Sequence, residues 1–75
     1  MAKRHVALTK FGENVRALRE KRELTQERLS ELAELDQTYI SGIENGSRNP
    51  TILSIARIAK SLKVSASELC EGIDR

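Results

Sequence analysis

The chain has few aromatic residues, one cysteine and no long apolar run. Aromatic residues make up 3% of its 75 residues, so any hydrophobic core must be built from aliphatic side chains. Cys70 has no second cysteine with which to form an internal disulfide, which fits a reducing compartment. Neither a signal peptide nor a membrane span is recognisable. These absences predict a single soluble domain that works in the cytoplasm.

The sequence also lacks the residue combinations on which enzyme sites depend. His5 is the only histidine, and no metal-ligand spacing or glycine-rich phosphate loop is present. Asp36 is better explained as a helix cap, and the glutamates are better explained as residues on solvent-exposed helix faces. We therefore predict no catalytic residue, no metal and no cofactor.

The net charge of +2 is too small to indicate nucleic-acid binding, but the charges are unevenly distributed. Residues 1–22 hold seven Lys or Arg against two acids, whereas residues 23–47 hold six acids against Arg28 alone. The glutamates of the acidic segment can point away from a DNA duplex. Phosphate attraction would then come from helix N-termini, from Arg48 and from a basic N-terminal arm at residues 1–8.

Two helix caps eleven residues apart dominate residues 25–49. Thr25 and Asp36 are each followed by apolar residues at helical spacing, and a cap satisfies a free backbone N–H of the first turn. The interval leaves room for two helical turns and a reversal. This spacing predicts a helix-turn-helix, in which the second helix lies in the DNA major groove.

The polar face of that second helix supplies the candidate base contacts. If Ile40 and Ile43 point inward, then Gln37, Thr38 and Ser41 project from the opposite side near the helix N-terminus. Gln can bond both N6 and N7 of adenine, and the methyl group of Thr can pack on a thymine methyl. We assign base recognition to these three residues.

The remaining pattern is helical as well. Phe11, Val15 and Leu18 follow Thr9 at helical spacing and predict a first helix of about twelve residues. Thr51 is expected to cap a fourth helix after a loop at residues 46–50. The inner face of that helix is predicted to consist of Ile52, Ile55, Ala59 and Leu62. The last helix is marked by Ala66, Leu69 and Ile73 and is expected to end near Gly72. The fold class is therefore all-α, a compact five-helix domain over residues 9–75.

The order of apolar, cap and turn residues over 11–69 resembles the phage repressor and Cro-like helix-turn-helix family. The run DQTYISGIENGSRNP, followed by TILSIARIAKSLKVS, is similar to the small controller proteins of restriction–modification systems. The resemblance implies a repressor-like DNA-binding fold of bacterial or phage origin. Controller proteins often carry arginine, suited to guanine, where this chain has Gln37.

The resemblance also implies contacts and a structural ion pair. Arg19 and Glu44 are expected to form a partly buried salt bridge that joins the first and third helices. The family usually has Gly at the positions of Glu34 and Lys63, so both residues are expected in left-handed backbone at some loss of stability. Contacts with the DNA backbone are assigned to Thr25, Gln26, Tyr39, Asn45, Arg48 and Asn49.

A chain this small needs a second copy to read a long site, so we predict a homodimer on a palindromic operator. Leu53, Ala56 and Arg57 share a face of the fourth helix away from its inner stripe. The predicted interface consists of Leu53, Ala56, Arg57, Leu69, Cys70 and Ile73.

Double-stranded DNA and a second copy are the expected partners, with no small-molecule ligand. The predicted function is a transcriptional regulator that controls its own gene in a restriction–modification system. Two alternatives stay open, a simple prophage-type repressor and an antitoxin-like protein-interaction module.

Overall fold

The computed structural model describes residues 4–75, and within that range the chain forms five α-helices and no strand. This arrangement confirms the predicted all-α class. The helices are α1 (Val6–Lys21), α2 (Gln26–Ala33), α3 (Gln37–Glu44), α4 (Ile52–Leu62) and α5 (Ala66–Leu69). None of them is long and apolar enough to cross a membrane.

Each helix begins at a side chain that accepts a backbone N–H of the first turn. The predicted caps Thr25, Asp36 and Thr51 all have this geometry. Ser65 caps α5 in a reciprocal arrangement, because the side chain of Glu68 accepts the backbone N–H of Ser65 in return. Local chemistry therefore determines where α2 to α5 start.

The first helix starts earlier than predicted. His5 is its cap, with Nδ1 accepting the N–H of Ala7 at 3.0 Å, so α1 begins at Val6 and not after Thr9. Residues 6–8 of the predicted arm are consequently helical. The prediction also covered residues 1–3, which lie outside the described residues.

The core is aliphatic apart from Phe11, as the composition required. Its buried members come from all five helices. They are Phe11, Val15, Leu29, Ala33, Ile40, Ile43, Ile58, Ala59, Leu62 and Leu69. The prediction for α4 was wrong at Ile52, which is 82% exposed, and it missed the fully buried Ile58. Ile52 is the first residue of α4, and the buried residues of that helix begin only at Ser54.

Two helices end at residues with left-handed backbone. Glu34 has φ 56° after α2, and Lys63 has φ 58° after α4, as the resemblance implied. Glu23, after α1, is a third such residue that was not predicted. The helix α5 ends at Leu69, three residues before the predicted end, and Gly72 continues the chain through a turn at φ 79°.

Candidate DNA-binding surface

The polar face of α3 is open to solvent, and its apolar face lies in the core. Ile40 and Ile43 are fully buried, whereas Gln37 and Thr38 are exposed and Ser41 is half-buried. The helix therefore presents short hydrogen-bonding side chains from its first two turns. This arrangement places the three predicted base-contact residues together on the surface.

The start of α3 is held by Asp36. One carboxylate oxygen of Asp36 accepts the backbone N–H of Thr38 at 2.7 Å. Because this bond occupies a free N–H of the first turn, it defines where the helix begins. The cap keeps Gln37 and Thr38 at the exposed N-terminal end of the helix.

The other end of α3 is anchored by an ion pair. Arg19 in α1 donates from Nε to Glu44 Oε2 at 2.6 Å and from Nη2 to Glu44 Oε1 at 3.0 Å. Gln26 at the start of α2 donates its Nε2 to the same Oε1 at 2.9 Å. The two charged side chains are 11% and 4% exposed. Glu44 thus joins three helices, and the ion pair implied by the resemblance is present.

The ion pair also shifts the pKa of its cation. The hydrogen bond that Arg19 donates to Glu44 raises the pKa of the Arg19 guanidinium above its ordinary value, although burial acts in the opposite direction. A raised pKa stabilises the fold at every pH below the ordinary value and loses that contribution only as pH rises through the raised one. The guanidinium stays charged throughout the physiological range.

Tyr39 connects α3 to the start of α4. Its hydroxyl donates to Ser54 Oγ at 3.1 Å and accepts the backbone N–H of Thr51 at 3.3 Å. Thr51 Oγ1 in turn bonds Ser54 Oγ at 3.0 Å. The network positions the loop between α3 and α4, and a contact from Tyr39 to the DNA backbone stays a prediction.

Arg48 belongs to that loop, and its side chain packs back against α3. Its guanidinium carbon is 5.5 Å from the centroid of the Tyr39 ring, within the range of a cation–π interaction. The side chain passes Gly42 so closely that a Cβ there would collide with Arg48 Cγ. Arg48 is exposed and forms no ion pair within residues 4–75. An exposed cation is therefore held beside the polar face of α3.

The remaining predicted backbone contacts have local structural roles. Thr25 caps α2 through the N–H of Arg28, and Asn45 Oδ1 accepts the N–H of Ser47 at 2.9 Å. Asn49 is exposed in the following loop. Their contacts with DNA stay predictions.

The predicted dimer patch is exposed at α4. Leu53 is 59% exposed, and Ala56 and Arg57 are exposed as well. Cys70 and Ile73 are half-buried and pack against the core. Leu69 was assigned wrongly to the interface, because it is fully buried within one chain and offers no surface to a second.

Sequence reasoning missed Ser54 altogether, and it assigned Gln26 to the DNA backbone without foreseeing its bond to Glu44. Ser54 is 6% exposed and holds Tyr39, and the side chain of Gln26 is bonded to Glu44. Only Ser54 had a local signal, since it lies three residues after the cap Thr51, whose side chain accepts its N–H. The bond of Gln26 depends on the packing of α2 against α3, which the spacing of residues does not reveal.

Known helix-turn-helix proteins are similar to this chain in sequence. The model of the helix-turn-helix family matches residues 15–69. The control protein C.MunI from Mycoplasma sp. is 39% identical over 67 residues, which cover 88% of this chain and 90% of that protein.

Solved structures show the same similarity. The restriction–modification controller protein C.AhdI from Aeromonas hydrophila superposes with a TM-score of 0.82 at 40% identity, covering 83% of this chain and 94% of that one. The controller protein C.Esp1396I, solved as a tetramer in complex with its natural 35 base-pair operator, superposes with a TM-score of 0.79 at 41% identity. The match covers 91% of this chain and 90% of that one.

Proposed function

The chain belongs to the helix-turn-helix family that includes the restriction–modification controller proteins, and from that premise we propose that it is a sequence-specific DNA-binding transcriptional regulator. It acts on an operator as a homodimer, in the bacterial cytoplasm and without catalysis. Its relatives in the comparisons are regulators and not enzymes.

The observation that carries this proposal is the surface of α3. Gln37, Thr38 and Ser41 share one exposed side, while Asp36 and Glu44 hold the two ends of the helix. A recognition helix needs this combination, because hydrogen bonds to base edges discriminate between sequences only when the donors are held in place. Arg48 beside this face supplies the charge for a phosphate.

Dimerisation follows from the size of the surface. An eight-residue helix with three base-reading side chains covers only a few base pairs. Two copies related by a two-fold axis read two half-sites about 34 Å apart. Reading both half-sites strengthens the discrimination between DNA sequences. The exposed Leu53, Ala56 and Arg57 on α4, together with Cys70 and Ile73, form the surface that we assign to this contact.

Control of its own gene is the regulatory role that we propose. Protein concentration is the proposed input signal, because the occupancy of an operator by a dimer rises with the concentration of the chain. C.Esp1396I assembles as a tetramer on its operator. Two dimers that fill adjacent sites would give this chain an occupancy that rises steeply with its concentration, as a timed switch requires.

Footprinting on the region upstream of its own gene tests the proposal. Two adjacent protected sites that fill cooperatively support the controller function. One protected palindrome identifies a simple repressor instead. If no protection is found there, autoregulation is wrong, and a pull-down with native partners then tests the antitoxin-like alternative.

A further inference from the structure

A second surface lies on the side of the molecule where α1, α2 and α4 end. It is an open groove of about 670 Å³, and we call it the basic groove. Its apolar part is Leu24, Leu32 and Ala33, and its cationic side is Arg57, Lys60 and Lys63. It shares no residue with the DNA-binding surface, and only Arg57 belongs also to the predicted dimer patch.

The three cations of the groove form no ion pair with any carboxylate in residues 4–75. Within residues 4–75, the ion pairs involve Arg16, Arg19, Arg28 and Arg75, and none involves Arg57, Lys60 or Lys63. Glu34 is the single acid in the lining. Arg22 lies there too, but its guanidinium is bonded to the carbonyl oxygens of Leu62 at 2.8 Å and Lys63 at 3.4 Å. Lys60 and Lys63 are consequently available to a ligand, and Arg57 is available where α4 is not covered by a second copy.

The apolar part of the groove is also incompletely covered. Leu32 is 43% exposed, although it belongs to an eight-residue helix whose other apolar residues, Leu29 and Ala33, are buried. Leu24, also in the lining, is half-buried. An exposed leucine alone is ordinary on a protein surface. Here Leu32 faces the same groove as three cations that have no ion-pair partner in residues 4–75. A ligand that carries both an apolar face and negative charges would complement this groove.

We propose that the basic groove binds an acidic, amphipathic helix of a partner protein. The cations follow α4 from Arg57 through Lys60 to Lys63, a rise of about 9 Å at 1.5 Å per residue. Carboxylates on successive turns of an acidic helix repeat about every 5.4 Å, close to the spacing of about 4.5 Å between neighbouring cations. Its apolar face would cover Leu32 and Leu24, as helices do when they dock in hydrophobic grooves.

A nucleic acid is a poorer complement to this groove. Phosphates would pair with the lysines but would leave the exposed leucine side chains uncovered. Since the groove and the α3 surface share no residue, this proposal does not depend on operator binding and fails separately from it.

A labelled peptide of about 14 residues provides the test, with Leu at i, i+3, i+4 and i+7 and Glu at most other positions. Fluorescence anisotropy with the full chain should show a Kd below about 1 mM. A peptide of the same composition, scrambled so that the leucines share no face, should bind at least about tenfold more weakly. Amide shifts in nuclear magnetic resonance spectra should map to Leu24, Leu32 and Lys60.

Matched variants distinguish peptide binding in the groove from a general effect of the net charge of the chain. Lys60→Glu with Lys63→Glu should weaken peptide binding at least about tenfold, because two attractive charges become repulsive. Lys10→Glu with Lys21→Glu makes the same change in net charge outside the groove and should have less than about a twofold effect. Thermal unfolding of each variant establishes that it is folded.

Three results would overturn the proposal. They are equal binding of the scrambled peptide, equal weakening by the control pair of substitutions, and amide shifts centred on α3. Displacement of the peptide by a short DNA duplex, with shifts at Lys60 and Lys63, would identify the groove as a nucleic-acid surface instead.

Discussion

At the scale of single residues, Glu44 connects the fold to the proposed DNA-binding surface. It is the last residue of α3, and its carboxylate accepts hydrogen bonds from Arg19 in α1 and Gln26 in α2. Its side chain is 4% exposed, so removing the partner Arg19 would leave a buried charge with one neutral donor. The orientation of the residues proposed to read bases therefore depends on a contact at the opposite end of α3.

Arg19→Met should lower the free energy of unfolding by about 3–5 kcal/mol, because an unpaired buried carboxylate is costly. Arg16→Met is the matched control, since the pair of Arg16 with Glu20 is exposed and contributes about 0–1 kcal/mol. Urea unfolding measures both variants. Equal values for the two would contradict the structural role of the Arg19–Glu44 pair.

Arg48→Ala should weaken binding to all DNA sequences alike, because we assign Arg48 to a phosphate and not to a base. The slope of log affinity against log salt concentration should flatten by about one unit. Arg28→Ala removes another exposed arginine, already paired with Glu31 at 3.6 Å, and serves as the control. An unchanged salt slope for Arg48→Ala would show that its charge does not reach the phosphates.

At the scale of helices, the ends of α2 and α4 carry avoidable backbone strain. Glu34 and Lys63 both have left-handed backbone, which costs a residue with a Cβ about 1 kcal/mol. Lys63→Gly or Glu34→Asn should therefore raise the melting temperature, by roughly 4–8 °C for each kcal/mol recovered. Lys60→Gly, inside α4, should lower it, because glycine destabilises a helix interior. A fall for Lys63→Gly in thermal unfolding would contradict the assignment of strain.

The helices also show what a sequence can reveal. The caps Thr25, Asp36 and Thr51 were predictable, because a cap is a contact between residues two or three positions apart. The start of α1 was not, because Thr9 was a more usual cap than His5. Local signals thus predict most helix starts and all five helices.

Contacts between helices were harder to predict from spacing. Glu44 would have passed for a solvated charge without the family pattern, because its burial results from the packing of α1, α2 and α3. Leu69 was placed in the predicted dimer interface, yet the core covers it completely. The buried face of α3 was predictable, because the three-residue spacing of Ile40 and Ile43 determines it within one helix.

At the scale of the whole molecule, the exposed apolar side of α4 is the surface proposed for dimerisation. Leu53→Lys should convert the dimer into a monomer, because a charge would be buried at the contact. Leu32→Lys alters another exposed leucine outside the patch and should leave the dimer intact. Sedimentation at tens of micromolar measures both variants. A monomeric native chain, with and without DNA, would contradict the dimer.

The most direct test of the central claim compares base preference in the native chain and in Gln37→Ala. Affinities are measured for every single base-pair variant of the footprinted site. The native chain should discriminate at one base pair in each half-site, and Gln37→Ala should lose about 1–3 kcal/mol of that discrimination there and nowhere else. If Gln37→Ala kept the native preference while Arg48→Ala changed it, α3 would not be the recognition helix.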